Sequence, residues 1–234
     1  VCDGTPAINK AFVAVGGTPM VARVLQALRE VPEVARITVV APSPVLDDPA
    51  LALADDRRSA GDKIAESLER GLERSDPNAM LLMVTSDAPL LSPRSLCGFV
   101  RALGAVSADL VYGIAERTAH ERIYPGAPHT WARMREGVYC GSAVFGVRPR
   151  VMPALRRFLD DLATARKSPL RLARTFGWDV VLRFAFGALS IRTAEERASA
   201  ILGHPVRALV VEPDLAFNVD RKTDRALAER YLSQ

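Results

Sequence analysis

The chain has 234 residues and a mass of 25.4 kDa, enough for one large α/β domain or two small ones, and 49% hydrophobic with 25% charged residues is ordinary for a soluble globular protein. Against 31 basic side chains stand 27 acidic ones, so the net charge is only +4. The absence of a dense basic run and an aromatic content of 6% argue against nucleic acid as the main ligand. A small positive balance suits anionic small molecules such as nucleotides.

In chain order, Pro19 and Met20 open an amphipathic helix through Val21, Val24, Leu25 and Leu28, with proline where its missing N–H does no harm. A β-branched strand, Arg36 to Ala41, ends at Pro42 and Pro44. Gly61-Asp62 starts a second helix, with Ile64, Leu68 and Leu72 on one face. Met80 to Val84 is the next strand, Ser92-Pro93 caps a helix to about Leu103, and Asp109 to Ile114 is a further strand. This β-α-β rhythm predicts a Rossmann-like α/β fold, a mostly parallel sheet with helices on both faces. Thr130–Arg135 and Val138–Val147 flank Glu136-Gly137 as a hairpin. Gly141, inside the second of these strands, marks a bulge, a close approach to a ligand, or a loosely packed edge. Helices follow over Val151–Ala165 and Ser168–Phe176, then an apolar stretch, Val180–Leu189, that fits helix or strand. Thr193–Leu202 is helical, a strand returns to the sheet and ends near Asp220, and Thr223-Asp224 begins the last helix. With no repeat or linker, residues 1–234 are expected to form a single domain with a helical insertion in the C-terminal half.

Cys2, Cys97 and Cys140 have neither metal-ligand nor redox spacing, so a cytoplasmic location is the expectation, and His120, His129 and His204 form no ligand pattern. No apolar stretch is long enough to span a membrane, and Val1 to Lys10 lacks a signal pattern.

The apolar run Leu81–Val84 leads through Thr85-Ser86 to Asp87, and Pro89 stops the strand from continuing. In open α/β sheets ligands sit beyond the carboxyl ends of such strands. Asp220, in Phe217-Asn218-Val219-Asp220, follows the apolar run Ala208–Val211 in a similar setting. Two carboxylates at two strand ends suit a shared Mg²⁺ bound to a substrate phosphate; helix caps or turn aspartates are the other explanation.

Asn9-Lys10-Ala11-Phe12-Val13 followed by Gly16-Gly17-Thr18-Pro19, together with Asp87-Ala88-Pro89 and Asn218-Val219-Asp220, resembles the MobA-like nucleotidyltransferases. That superfamily includes the enzyme that adds GMP to molybdopterin in molybdenum cofactor biosynthesis. Tyr124-Pro125-Gly126, Arg133–Gly137 and Arg166–Leu170 resemble one branch of it, so the resemblance extends over nearly the whole chain. It implies that Lys10 contacts phosphates and that Asp87 and Asp220 bind Mg²⁺. It implies base recognition by the loop Arg58–Asp62, through Ser59, Gly61 or Asp62, although Asp62 also fits a plain helix N-cap. Gly141-Ser142 stands where relatives often carry Gly-Asn, so an acceptor or ribose contact there would fall to Gly141 and Ser142. Arg133, Arg135 and Lys167 are candidates for an anionic acceptor or for solvated surface charge. Residues 1–234 are expected to lack the family's N-terminal strand and glycine-rich loop.

The expected activity is transfer of an NMP group from an NTP to a phosphorylated or hydroxyl acceptor with release of pyrophosphate. A metal-dependent glycosyltransferase is an alternative, weakened because Asp87-Ala88-Pro89 lacks the second acid of Asp-x-Asp; a non-catalytic nucleotide-binding module is another. The expected partners are an NTP and a small acceptor, with neither nucleic acid nor membrane, and the fold allows a homodimer through a strand edge or hairpin.

Overall fold

A computed structural model of the chain describes residues 9–165 and 176–233. A two-stranded hairpin comes first, β1 (Ala14–Val15) and β2 (Thr18–Pro19), closed by Gly16 and Gly17 at φ of 56° and 77°. Two successive left-handed residues are what a tight two-residue hairpin loop requires, so the Gly-Gly pair is conformational in origin. Helix α1 (Met20–Arg29) follows at once and buries Met20, Val21, Val24, Leu25 and Leu28, as their spacing predicts.

The strand β3 (Thr38–Ala41) pairs in parallel with β4 (Asp56–Ser59). β4 reads Asp-Arg-Arg-Ser and has no apolar signal, which is why the sequence does not announce it. It is held by charge instead: the Arg58 guanidinium, paired with Asp56 at 2.8 Å, also donates to the carbonyls of Arg70 and Glu73 at the end of helix α2 (Ile64–Leu72). Ile64 does not share the buried face of α2 and is 75% exposed, whereas Leu72 is buried. The helix N-cap is Lys63, without a side-chain cap, so Asp62 is not the capping residue.

The main sheet has the order β5-β8-β6-β9, with β7 beside β8. Its members are β5 (Leu81–Val84), β6 (Leu110–Glu116), β7 (Ala132–Arg133), β8 (Val138–Val147) and β9 (Val206–Val210). Among these, β8 runs against the other four, so the sheet is mostly parallel. The hairpin predicted around Glu136-Gly137 is β7–β8, with Met134 N donating to Gly137 O at 2.8 Å. The apolar run of β5 predicts a fully buried parallel strand; its hydrogen-bonded neighbour is the antiparallel β8, and its four residues are only half-buried. Among the described residues no strand joins β3 to β5, and α2 spans them: a Cβ on Gly71 would lie 3.2 Å from Val40 and 4.0 Å from Met83.

Helices cover both faces. α1 and α3 (Pro93–Ala105) pack Val24, Leu25, Leu96, Phe99 and Leu103 against Val111 and Val144 on one side. α2 and α5 (Met152–Ala165) pack Leu68, Leu72, Leu155 and Phe158 against Leu81, Met83, Leu110 and Val147 on the other. Full burial of a side chain such as Leu96 or Val111 contributes about 1.5–3 kcal/mol, and the half-buried ones contribute less. Ser92 caps α3 as its sequence predicts, its hydroxyl accepting from Ser95 N at 3.2 Å. α4 (Arg117–Ile123) follows β6 directly; its sequence, Arg-Thr-Ala-His-Glu-Arg-Ile, carries too few apolar residues to signal a helix.

The C-terminal half holds the expected helical insertion between β8 and β9: α5, α6 (Trp178–Ala185) and α7 (Ile191–Leu202). The ambiguous stretch from Val180 is thus helical in α6. The helix expected over Ser168–Phe176 falls almost wholly outside the described residues, and so does Lys167. β9 ends at Val210, and Asp220 lies not at a strand end but in the loop between a 3₁₀ turn (Pro213–Ala216) and α8 (Lys222–Leu232). The apolar residues that suggest a strand reaching Asp220, Phe217 and Val219, are instead buried in a cluster with Met20 and Ala228. No helix among the described residues is long and apolar enough to cross a membrane.

Candidate active site

Three residues far apart in sequence meet beyond the carboxyl end of β5. Lys10 sits in a 3₁₀ turn (Lys10–Phe12) that Asn9 fixes by accepting from Ala11 N at 2.9 Å. Its ammonium lies 2.6 Å from Asp87 Oδ2 and 2.5 Å from Asp220 Oδ1. Burial opposes the charge of Lys10, but hydrogen bonds to Asp220 and Asp87 outweigh it and raise its pKa, so the lysine is a cation at neutral pH.

The two acidic loops are bound to each other through backbone. Val219 N donates to Asp87 O at 2.9 Å, so the two carboxylates cannot drift apart independently. Asp224, buried in the first turn of α8, accepts from Asp220 N at 3.0 Å and Arg221 N at 2.8 Å. Its carboxylate therefore satisfies loop amides at a helix N-terminus and fixes the bend that presents Asp220. The side-chain exposures differ: 13% for Asp87 and 69% for Asp220. One carboxylate is thus the floor of the site and the other its rim.

Near Asp87, buried side-chain oxygens lack hydrogen-bond partners in the protein: Thr85 Oγ1, Asp87 Oδ1 and, two residues before Asp220, Asn218 Oδ1. Buried polar atoms ordinarily find partners, so orphans at the end of a strand point to a ligand. Oxygen donors from carboxylate, amide and hydroxyl suit a hard divalent cation such as Mg²⁺, which takes few protein ligands and keeps water and substrate oxygens for the rest. No group of three or more His, Cys, Asp or Glu among the described residues forms a ready-made metal cage. Sequence reasoning does not single out Thr85 or Asn218; the signal available is Asn218-x-Asp220, two oxygen-bearing side chains two residues apart in one loop.

The loop after β4 is braced from α2. Arg70 donates to the carbonyls of Ser59 and Ala60 at 2.9 and 2.8 Å, Gly61 N donates to Ser67 Oγ at 3.1 Å, and Asp62 N donates to Glu66 at 3.0 Å. Ser59 Oγ is hydrogen-bonded to Ser43 Oγ at 2.7 Å. A Cβ on Gly61 would overlap Glu66, so glycine is required for this packing. α2, the helix that braces this loop, also packs Gly71 against Val40 of β3 and Met83 of β5, while β8 pairs with β5.

On the β8 side the two candidate residues part company. Gly141 is exposed, while Ser142 is 6% exposed and its hydroxyl is used internally, donating to Val144 O at 3.1 Å. Arg133 lies along Gly187 and Arg135 N donates to Leu189 O, placing both arginines at the tip of the β7–β8 hairpin rather than with Lys10. Beneath the Asp220 loop lies an aromatic cluster of His120, Tyr124, Phe217 and Tyr231. His120 is fully buried, 3.0 Å from His129 through the Nε2 atoms, and burial followed by the neighbouring His129 pushes its pKa down to about 4. Neither histidine reaches Lys10 or the carboxylates by a hydrogen bond.

The sequence matches the MobA-like NTP transferase domain over residues 4–174. No curated protein matches the chain. Among solved structures, a hypothetical transferase from Thermus thermophilus is similar with 34% identity and a TM-score of 0.79, over 92% of this chain and 90% of that one. The 2-C-methyl-D-erythritol 4-phosphate cytidylyltransferase of Thermus thermophilus shares the fold at 20% identity, TM-score 0.57, over 97% and 95%. The 4-diphosphocytidyl-2C-methyl-D-erythritol synthase of Anaerococcus prevotii does so at 14% identity, TM-score 0.60, over 97% and 91%. The domain match ends before Asp220, so the second carboxylate enters the site through its contact with Lys10 rather than through that match. With the matched domain spanning most of the chain and the α/β architecture agreeing, the protein belongs to the MobA-like NTP transferase family and is a nucleotidyltransferase.

Proposed function

We propose that this nucleotidyltransferase is Mg²⁺-dependent, with the cation held by Asp87 and Asp220, the NTP phosphates met by Lys10, and a phosphorylated or hydroxyl small molecule as acceptor. The observation that supports it best is the meeting of one ammonium with two carboxylates drawn from distant parts of the chain. When bound, Mg²⁺ supplies Lewis-acid neutralisation of phosphate charge. Asn218 Oδ1 and Thr85 Oγ1 supply further oxygens toward the cation, its waters or the substrate.

The acceptor oxygen attacks the α-phosphorus, a new P–O bond forms, and the bond from the α-phosphorus to the bridging oxygen breaks. The electron pair leaves with pyrophosphate. A phosphate acceptor brings no proton that must be removed, and a hydroxyl acceptor loses its proton to water. The protein's part is positioning and charge compensation, which dominate phosphoryl-type transfers. Lys10 pairs with the two carboxylates in the structure, and with a divalent cation held by Asp87 and Asp220 its ammonium would offset phosphate charge as a flexible point cation. Ser59, Gly61 and Asp62 read the base from the rigid loop after β4.

The test is pyrophosphate release with ATP, CTP, GTP and UTP in Mg²⁺, with molybdopterin and a panel of phosphorylated small molecules as acceptors. Acceptor-dependent release should identify both substrates. Asp87→Ala should reduce it on the order of 100-fold or more while the melting temperature stays near that of the wild type. Retention of activity in Asp87→Ala, or loss of fold together with activity, removes Asp87 from the machinery.

A further inference from the structure

α6 is an amphipathic helix turned inside out. Helical spacing puts Trp178, Leu182 and Phe186 on one stripe, with Val181 and Ala185 beside it. A surface helix ordinarily turns such a face to the core. In α6 only Val180 is buried, and the stripe faces solvent: Trp178 is 55% exposed, Leu182 52% and Phe186, at the C-cap, 80%, with Phe184 on the flank at 49%. Four of the ten exposed large hydrophobic side chains of the described residues thus fall within Trp178–Phe186, which makes a patch and not the scatter that any surface shows. A whole aromatic side chain presents about 150–250 Å², so the three rings alone show about 400 Å². An apolar patch of that size, rimmed by charge, marks a place where a partner docks.

The charge around the patch selects the partner. The one acid of α6, Asp179, is matched by Arg197 at 3.1 Å. Arg183 is exposed on the helix. Arg133, also exposed, lies along the Gly187 turn that follows it, where a Cβ would be 2.9 Å from Arg133 Cδ. The chain that leads into α6 is basic as well: residues 166–175 contain Arg166, Lys167, Arg171 and Arg174 and no acid. Of the chain's 31 basic and 27 acidic side chains, residues 166–187 hold five and one, so the rest of the protein is balanced at 26 of each and the whole net charge of +4 lies in this stretch. The exposed aromatic patch therefore coincides with the one concentrated positive charge along the sequence.

We infer that α6 docks the protein on an anionic bilayer surface, with Trp178, Leu182 and Phe186 set into the headgroup–acyl boundary and Arg183 and Arg133 against lipid phosphates. Helices that lie in the plane of a bilayer combine Trp, Phe and Leu on one face with Lys and Arg beside them, and they need no spanning segment. Basic side chains near an anionic leaflet add an attraction that salt screens. A second copy of the chain would offer another apolar face, but it brings the same cations together, and like charges across an interface oppose association. The inference uses none of Lys10, Asp87 and Asp220 and is independent of the reading of that site.

The experiment is flotation of the full chain with vesicles of phosphatidylcholine alone and of phosphatidylcholine mixed with phosphatidylglycerol, in low and high NaCl. Partition onto the anionic vesicles should exceed that onto the neutral ones by about tenfold or more, and high salt should remove most of the difference. Trp178→Ser/Phe186→Ser should bind the anionic vesicles about tenfold or more weakly while keeping the wild-type melting temperature, because both side chains are exposed. Arg133→Glu/Arg183→Glu should weaken anionic binding and leave neutral binding unchanged. In Trp131→Phe, where Trp178 is the remaining tryptophan, emission should shift to the blue on anionic vesicles. Absence of binding to anionic vesicles, equal binding to neutral ones, undiminished binding in either double variant, or unshifted Trp178 emission overturns the inference. So does a dimer in vesicle-free solution that Trp178→Ser/Phe186→Ser dissolves, which makes a second copy the occupant.

Discussion

Replacing Lys10 with methionine removes the ammonium but keeps a flexible apolar stem, and the consequence follows from the geometry. Asp87 Oδ2 and Asp220 Oδ1 lie within 2.6 and 2.5 Å of Nζ, so they are at most about 5 Å apart. Two unit charges at that distance repel by about 3 kcal/mol at an effective dielectric of 20 and by less than about 1 kcal/mol in bulk water. Asp220 is 69% exposed, so the true cost lies toward the water limit, about 1–2 kcal/mol. For a chain of this size that corresponds to a melting temperature lowered by about 2–8 °C in EDTA. Added Mg²⁺ should then stabilise Lys10→Met more than wild type, since the dication no longer competes with an ammonium for the same oxygens. The expected difference is about tenfold in apparent affinity for nucleotide-free protein, or about 1.4 kcal/mol. Thermal unfolding of wild type, Lys10→Met and Lys10→Met/Asp87→Asn across a MgCl₂ series measures it. A Mg²⁺ response that is equal in wild type and Lys10→Met, or that persists in the double variant, refutes the idea that lysine and cation share one acidic pocket.

Two further predictions concern stability. His120 is neutral in the fold because its pKa is about 4, against 6.5 in the unfolded chain, so its contribution is complete above pH 6.5 and is lost as pH falls toward about 4. The drop corresponds to about 3 kcal/mol; urea midpoints at pH 7.5 and 4.5 should differ accordingly for wild type and much less for His120→Gln, and a flat wild-type profile rejects the assignment. Asp109, buried at 3% exposure, is held by Arg150 at 2.6 and 3.0 Å and by His204 at 2.7 Å, ties that join the ends of β6 and β8 to the loop before β9. Asp109→Ala should cost about 2–3 kcal/mol in urea unfolding at pH 7 with an unchanged m-value, below the usual range for a broken buried pair because Arg150 can turn to water; a loss under about 0.5 kcal/mol shows the network to be dispensable.

Much of the architecture is written in local pattern. Val21, Val24, Leu25 and Leu28 specify α1 by spacing, Ser92-Pro93 specifies the start of α3 by capping chemistry, and Glu136-Gly137 specifies the β7–β8 turn. Asp87 is legible for the same reason, since an apolar run that ends at an acid before proline is a local signal. β4 and α4 are not legible: Asp-Arg-Arg-Ser forms a strand only because β3 supplies a partner edge and α2 supplies carbonyls for Arg58. Phe217 and Val219 read as strand residues because burial in a helix-backed loop leaves the same apolar trace as burial in a sheet.

Local residue pattern is enough for the α/β class, for the helices marked by caps and spacing, and for the candidacy of Lys10, Asp87 and Asp220. Packing of the whole chain is what brings these three together, lets Asp224 bend the loop carrying Asp220, turns Ser142 inward while Gly141 stays open, and lays Tyr112 across it. Each of those outcomes depends on contacts between segments distant along the chain. Local pattern fixes which face of an element is apolar; it carries no information about which loops the packed elements bring together.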